Sequence, residues 1–562
     1  MNRKHLFIVA IGAALALSSC GKKLGQFVED NFTVNPNPLE LVGQKVPAQI
    51  NAHVPAKFFL QNAKVTVTPY LVYEGGEATS QPYSFQGEKV RGNSPVISYE
   101  YGGNFTIPVS FDFKPAMSKS ELELAFTVVQ GGKTYSLPRV KVAPGVISTS
   151  DLADAATVTP AIAPDKFQRV INEKYAAKIM FLINQANIRS DQLNTDAMVE
   201  LRKEILSTAN DTARILEEIN IQSYASPDGT IQINERLAYE REQNTQAYVQ
   251  SQLKKDKISE FGDLTAQFTA EDWEGFRELV QRSNIQDKDL ILSVLSMYND
   301  AEQREREIRN LAHVFEQLAD QILPQLRYSR ITASINVIGK SDAEISALAT
   351  TNPSALNVDE LLYAATLTDD NATRLRIYDA AVRLYPNDYR TWNDLGAAQY
   401  IDGDYDAAKA SFSKAASLAG DNKQPAMNLG LIDLLNGNYE KANQQFGAAA
   451  GVDELNDALG VYYLKTGDNA AAVRAFGNSK SNNAALAQIL TKDYSKAKQT
   501  LASIPTPNAT TYYLMAVLGA RTNNESMLNT NLRQAIRLDS ALATRARNDL
   551  EFEGFNLSKA LN

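Results

Sequence analysis

A short stretch near the middle of the chain has the residue types and spacing to hold a small charged group. Ser226-Pro227-Asp228-Gly229 makes a sharp bend; Asn234 follows the glycine by five residues and Arg241 follows Asn234 by seven. An arginine fork binds a carboxylate through two parallel hydrogen bonds, and such charge-assisted bonds are about twice as strong as neutral ones. Seven residues are two helical turns, so Asn234 and Arg241 share one helix face. Gly229 is the residue expected to take a positive φ, which brings the backbone close to a ligand.

The elements needed to position these groups can be read on either side of them. Ile219 and Ile221 alternate with polar residues up to Tyr224, as in a strand, and a helix is predicted over 231–253. Lys178-Ile179-Met180-Phe181-Leu182-Ile183 reads as a buried strand. Met198, Leu201, Ile205 and Leu206 mark a helix by their spacing, and 330–337 reads as a last strand. About 270–326 is extra helical sequence, densely charged over 300–309, and is expected to be an insertion with a solvated face.

In this strand–turn–helix setting the residues resemble the OmpA-like peptidoglycan-binding domain. That family follows the glycine of the bend by Asn at five, then Leu three and Arg seven beyond the Asn; here these are Gly229, Asn234, Leu237 and Arg241. The resemblance implies a small βαβαβ sheet and a ligand, the zwitterionic end of diaminopimelate in a wall stem peptide. It implies a site made of Ser226, Asp228, Gly229, Asn234 and Arg241. The family's Thr-Asp pair falls on Ala225-Ser226, so Asp228 is the carboxylate left to meet the ligand ammonium.

At the amino terminus Arg3 and Lys4 precede an apolar run from Leu6 to Leu17, too short to cross about 30 Å of hydrocarbon, and small residues follow. Leu17-Ser18-Ser19-Cys20 resembles the lipobox of bacterial lipoproteins. The resemblance implies a signal peptide over 1–19 and a lipid anchor on Cys20 whose acyl chains, palmitate among them, hold the mature chain to the outer membrane. No acidic run follows Cys20, which favours the periplasmic face. Cys20 is the only cysteine, so no internal disulfide forms.

Composition bounds the rest. The chain has 562 residues, 44% hydrophobic and 22% charged, which is globular and long enough for about three domains. A net charge of −9 disfavours a general grip on nucleic acid. Three scattered histidines offer neither a zinc site nor a Ser-His-Asp triad, and no carboxylate pair stands out for glycoside hydrolysis. No enzyme, metal or cofactor is expected.

Residues 20–31 read as a lipid-proximal linker. Over 32–146 alternating runs such as Val65–Thr68 and Val109–Phe113, broken by Gly-Gly pairs and many prolines, predict an all-β, Ig-like sandwich. The Ser/Thr/Ala/Pro-rich segment 147–165 reads as a linker, 166–345 as the OmpA-like domain and 346–359 as a second linker.

After position 360 the chain repeats itself. Leu395, Gly396, Ala408 and Phe412 recur 34 residues later as Leu429, Gly430, Ala442 and Phe446, then more loosely as Leu459, Gly460, Ala472 and Phe476. These are the positions of tetratricopeptide repeats (TPR), and the resemblance implies an all-α solenoid over 360–562. Its groove would be lined from first helices, so Arg390, Asn393, Tyr400, Gln424 and Met427 are the candidates for binding an envelope protein. Asp402, Asp404 and Asp406 do not make a calcium loop: Ala407 and Ser413 occupy the positions needing Gly and Glu. Gly339-Lys340-Ser341 lacks the first glycine of a P-loop.

The resulting expectation is an envelope lipoprotein tying outer membrane to peptidoglycan and recruiting a protein partner. The alternative is an accessory or assembly factor of an outer-membrane or secretion complex, its OmpA-like domain docking protein.

Overall fold

The computed structural model describes residues 24–561 apart from 260, 286, 287, 299 and 311; Cys20 lies outside the described residues. Two compact units result: Asp165–Thr368, and the flanking Met1–Pro164 with Asp369–Asn562. Among the described residues no helix is long and apolar enough to cross a membrane.

The flanking unit begins with two packed sheets. The first is β1 (Phe32–Asn35), β2 (Lys45–Val54) and β7 (Gly103–Asp112); the second runs β6 (Val96–Ile97), β5 (Tyr83–Gly87), β3 (Ala63–Tyr73), β8 (Ser120–Gln130), β9 (Lys133–Gly145), with β4 (Gly76–Thr79) paired to β3. Strict alternation in β2 sends Val46, Ala48, Ile50, Ala52 and Val54 inward to meet Val65, Val67, Leu122 and Phe126 of the other sheet. The expected linker 20–31 is partly core: Leu24 and Phe27 are buried, and Phe27 stacks on Phe126 at 4.7 Å. Their apolar side chains gain more from the sandwich than from water.

The middle unit holds a four-stranded sheet in the order β10 (Val170–Met180), β13 (Tyr328–Ile338), β11 (Arg214–Tyr224), β12 (Asp263–Thr269). β11 and β12 are parallel; the other pairs are antiparallel. α1 (Asp196–Ser207) and α2 (Ile231–Lys255) bury Met198, Leu201, Val249 and Leu253 against Ile179, Ile219, Ile331 and Ile335. The strand expected at 178–183 lies earlier in the chain. Only its first three residues pair; Leu182 and Ile183 fall beyond the ladder and are exposed, because an edge strand with one wet face need not be continuously apolar.

Between β12 and β13 come α3 (Trp273–Arg282), α4 (Lys288–Met297), α5 (Ala301–Asn310) and α6 (Ala312–Gln321), with a core of their own around Phe276, Val280, Ile291 and Leu318. The stretch 346–359 is not a linker. It contains most of α7 (Asp342–Thr351) and the start of α8 (Val358–Thr366), both capped by boxes, Ser341 with Glu344 and Asn357 with Glu360. α8 belongs to this middle unit, so the solenoid starts later than residue 360.

From α9 (Asn371–Leu384) the chain forms antiparallel helical hairpins: α10 (Tyr389–Asp402) with α11 (Tyr405–Leu418), α12 (Gln424–Leu435) with α13 (Tyr439–Ala448), and α14 (Leu455–Thr466) with α15 (Asn469–Phe476). Then come α16 (Asn482–Leu490) with α17 (Tyr494–Ala502) and α18 (Ala509–Arg521) with α19 (Glu525–Leu538), before α20 (Leu542–Asn548) and α21 (Ser558–Leu561). A Cβ on Gly396, Gly430 or Gly460 would stand 2.6, 2.5 or 2.4 Å from the ring of Phe412, Phe446 or Phe476. In these three hairpins the glycine of the first helix is the seat for the phenylalanine of the second, always 16 residues on, although the repeats themselves step by 34 and then 30 residues. Asp404 caps α11 by accepting from Ala407 N, so the aspartates there shape a turn.

Candidate functional site

The segment read as a linker over 147–165 is a strap laid along the first helices of the solenoid. Asn428 brackets one residue of it: its Oδ1 accepts from Ala161 N (2.7 Å) and its Nδ2 donates to Ala161 O (2.8 Å). Asn483 does the same for Asp154, both distances being 2.9 Å. Asn393 Nδ2 donates to Ala161 O, Tyr400 Oη to Ala155 O, and Arg390 Nη1 to Pro164 O, while Asp394 Oδ1 accepts from Ala163 N. Carboxamides suit this task because each carries a donor and an acceptor at one end and satisfies both backbone groups of an extended residue. Small strap side chains, Ala153, Ala155, Val158 and Ala161, complete the apolar core beneath.

The predicted protein-binding residues are therefore brought together, but not as an open surface. Arg390, Asn393 and Tyr400 are buried under the strap and bonded to it. Met427 is wholly buried in the same core, and Gln424 is half-buried with its Oε1 lacking a hydrogen-bond partner. Sequence reasoning missed Asp394, Asn428 and Asn483. A signal existed: Asp394 recurs as Asn428 one repeat on, a polar residue kept on an otherwise apolar helix face.

Burial pushes the Asp394 carboxyl up to about 7, against the opposing pull of Ala163 N–H and Asn393. Its folded value exceeds the unfolded value of about 3.9, so the native form holds its proton longer. Stability from this group is complete below about pH 4 and is lost as pH rises towards 7. Asp394→Asn is expected to flatten that part of the stability profile, measured as urea midpoints at intervals from pH 4 to 8.

In the middle unit the motif residues also converge, and the chain's own atoms satisfy them. Arg241 is buried. Its Nε donates to Gln185 O (3.1 Å), Nη1 to Tyr224 O (2.8 Å) and Nη2 to Leu182 O (3.4 Å). Desolvation, then the neighbouring charge of Arg327, pulls its pKa down to about 10. Ser226 and Asp228 are tied to each other and to Arg327. Ser226 Oγ donates to Asp228 Oδ1 (2.8 Å), and Arg327 donates from Nε to Ser226 Oγ (2.9 Å) and from Nη2 to Asp228 Oδ2 (2.6 Å). Arg309, from the inserted helices, donates to Asp228 O (2.6 Å).

Gly229 does not have the expected positive φ. Its missing Cβ matters differently, because one would lie 2.8 Å from Asn234 Oδ1. The close approach lets Asn234 Nδ2 donate to Gly229 O (3.0 Å) while it also reaches Glu271 Oε1 (2.9 Å). Arg327 and Glu271 were invisible in the sequence, since each pairs across a long loop closure. Among the described residues no group of three His, Cys, Asp or Glu is placed to hold a metal.

No protein-family model and no curated protein sequence matches the chain. Among solved structures, Pseudomonas aeruginosa PilF is similar over 36% of this chain and 95% of its own, at 17% identity and a TM-score of 0.26. YrrB, described as a TPR protein with an unusual peptide-binding site, covers 30% of this chain and 97% of its own at 18% identity and a TM-score of 0.24. A tetratricopeptide repeat protein from Parabacteroides merdae covers 51% and 100% at 13% identity and a TM-score of 0.27. These neighbours are TPR proteins. The repeat spacing and glycine-seated hairpins of this chain make its carboxy-terminal part a solenoid of that type.

Proposed function

We propose that the chain is a lipid-anchored envelope scaffold that docks protein, its middle unit an OmpA-like module used for protein contact and not for wall peptide. One observation carries this reading: both charges that a zwitterionic head group would need are already engaged. Arg241 is spent on three backbone carbonyls, and Asp228 is neutralised by Arg327 at 2.6 Å. A ligand carboxylate would have to displace those carbonyls, and a ligand ammonium would have to displace a guanidinium.

The anchor rests on the lipobox-like Leu17–Cys20, and the periplasmic face of the outer membrane on the missing acidic run. The sandwich, whose two sheets are antiparallel but for the short β5–β6 pair and so support the Ig-like reading, acts as a spacer. Only Gly21–Lys23 separate Cys20 from buried Leu24, a reach of roughly 14 Å at about 3.5 Å per residue, so the sandwich is held against the bilayer. No covalent chemistry is assigned to the chain.

The second reading, a membrane-to-wall tether, is favoured by the strand order β10-β13-β11-β12 and by Asn234 and Arg241 meeting at the bend. Sedimentation with diaminopimelate-containing sacculi separates the two. The full chain is expected to stay in the supernatant at physiological salt, while in-cell crosslinking recovers envelope proteins with it. Retention on sacculi that free diaminopimelate competes away would overturn the docking reading in favour of the tether.

A further inference from the structure

The strap occupies the place of an extended peptide in the solenoid groove, yet it fills that groove incompletely. Its bonds to Asn428, Asn393 and Tyr400 go to strap backbone, which any extended chain would present equally, and Asn483 adds one side-chain contact, to Thr157 Oγ1 (3.0 Å), to its two bonds with the Asp154 backbone. Over 153–163 its buried side chains are small, four alanines with Val158 and Pro160, so this stretch contributes little apolar area that another segment could not match.

Beside it the groove widens. A cavity of about 570 Å³ opens next to Thr159, walled by Asp453, Glu454 and Asp457, and one of about 350 Å³ opens next to Ile162 and Pro164, where Asp421, Asp453 and Glu454 outnumber Lys423 on the wall. On the second wall Gln424 Oε1 is buried without a hydrogen-bond partner. Among the described residues the Asp457 side chain accepts from Ser479 Oγ alone, and burial raises the pKa of both Glu454 and Asp457 from its ordinary value. An acidic, half-desolvated wall with a spare acceptor favours a cation with several donors.

We propose that the strap is a displaceable internal occupant of a peptide groove whose external ligand is an extended segment of a partner protein. That segment carries lysine or arginine where the strap has Thr159 and Ile162. The groove reads backbone through its asparagines and side-chain charge through its acidic wall. The strap, tethered at both ends, competes at high effective concentration and keeps weaker segments out. This deepens the scaffold reading and rests on it.

The test uses the full chain and three fluorescein-labelled peptides: residues 151–165, the same with Thr159→Lys and Ile162→Lys, and the same with Thr159→Glu and Ile162→Glu. Anisotropy is expected to show the lysine peptide binding at least tenfold tighter than the unsubstituted one, and the glutamate peptide weaker still. A Glu454→Gln/Asp457→Asn chain should lose the lysine preference at least tenfold. Hydrogen–deuterium exchange over 154–163 of the chain's own strap should accelerate when the lysine peptide is bound. Equal binding of the three peptides, no binding, or binding that leaves strap exchange unchanged would overturn the proposal. Such a failure alongside successful partner crosslinking would discard the groove alone and leave the scaffold standing.

Discussion

Replacing Glu551 with Gln is expected to destabilise the unit containing sandwich, strap and solenoid by about 3–5 kcal/mol, read as a fall in its urea midpoint. Glu551 and Arg521 form an ion pair at 2.6 Å whose side chains are 3% and 12% exposed. Arg521 reaches the carboxylate with Nε as well as Nη2, and Thr149 Oγ1 of the strap donates to the same group. Burial alone would lower the Arg521 pKa; hydrogen bonds and charge from Glu551 more than reverse this and raise it above its ordinary value. The amide keeps the shape and loses the charge, leaving a guanidinium out of water with no counter-ion. Removing one member of a buried pair costs far more than the pair contributes net.

The contrast is what tests the cause. Arg521→Met with Glu551→Met removes the desolvation cost along with the attraction and is expected to recover most of the loss, a coupling visible in a double-mutant cycle. Proteolysis near residue 149 should also quicken in Glu551→Gln, because Thr149 Oγ1 there exchanges a charged acceptor for a weaker neutral one. A loss below about 1 kcal/mol would mean the pair is more solvated than its burial indicates.

Why some of this architecture was legible in the sequence and some was not follows from where the bonding energy resides. The solenoid shows itself because Gly430 must be small for Phe446 to fit, and the same steric demand recurs at Gly396 and Gly460. The motif bend shows itself through side-chain identities at fixed spacing. The strap does not, because most of its partners grip backbone amides and carbonyls that every residue possesses, and the side chains that are held, Thr149 and Thr157, are ones a solvated linker also carries; a Ser/Thr/Ala/Pro-rich segment looks the same solvated or clamped. Arg390, Asn393 and Tyr400 are read from the repeats as groove-lining residues, and the segment they bond to lies more than two hundred residues away in sequence. Arg327 was hidden for a related reason: it reaches Asp228 across 99 residues, and nothing local to either marks the pairing.

Arg241→Met is expected to destabilise the middle unit by about 3 kcal/mol, and the balance of terms explains both the sign and the modest size. Three hydrogen bonds from a charged donor contribute about 1.5–3 kcal/mol each. Against them stands the cost of keeping the guanidinium charged in a buried place beside Arg327, about 3 kcal/mol for a pKa brought from 12.5 to about 10. Methionine fills similar volume and carries no charge, but it leaves the carbonyls of Leu182, Tyr224 and Gln185 without this donor. Urea titration followed by circular dichroism measures the change. A neutral or stabilising result would show that water or other amides serve those carbonyls, and that Arg241 is held in place for a ligand. The outcome also governs how wall binding is to be judged. A substitution at 241 that loosens the unit would reduce retention on sacculi whether or not the guanidinium ever touches peptide, so competition by free diaminopimelate on the unaltered chain is the discriminating measurement.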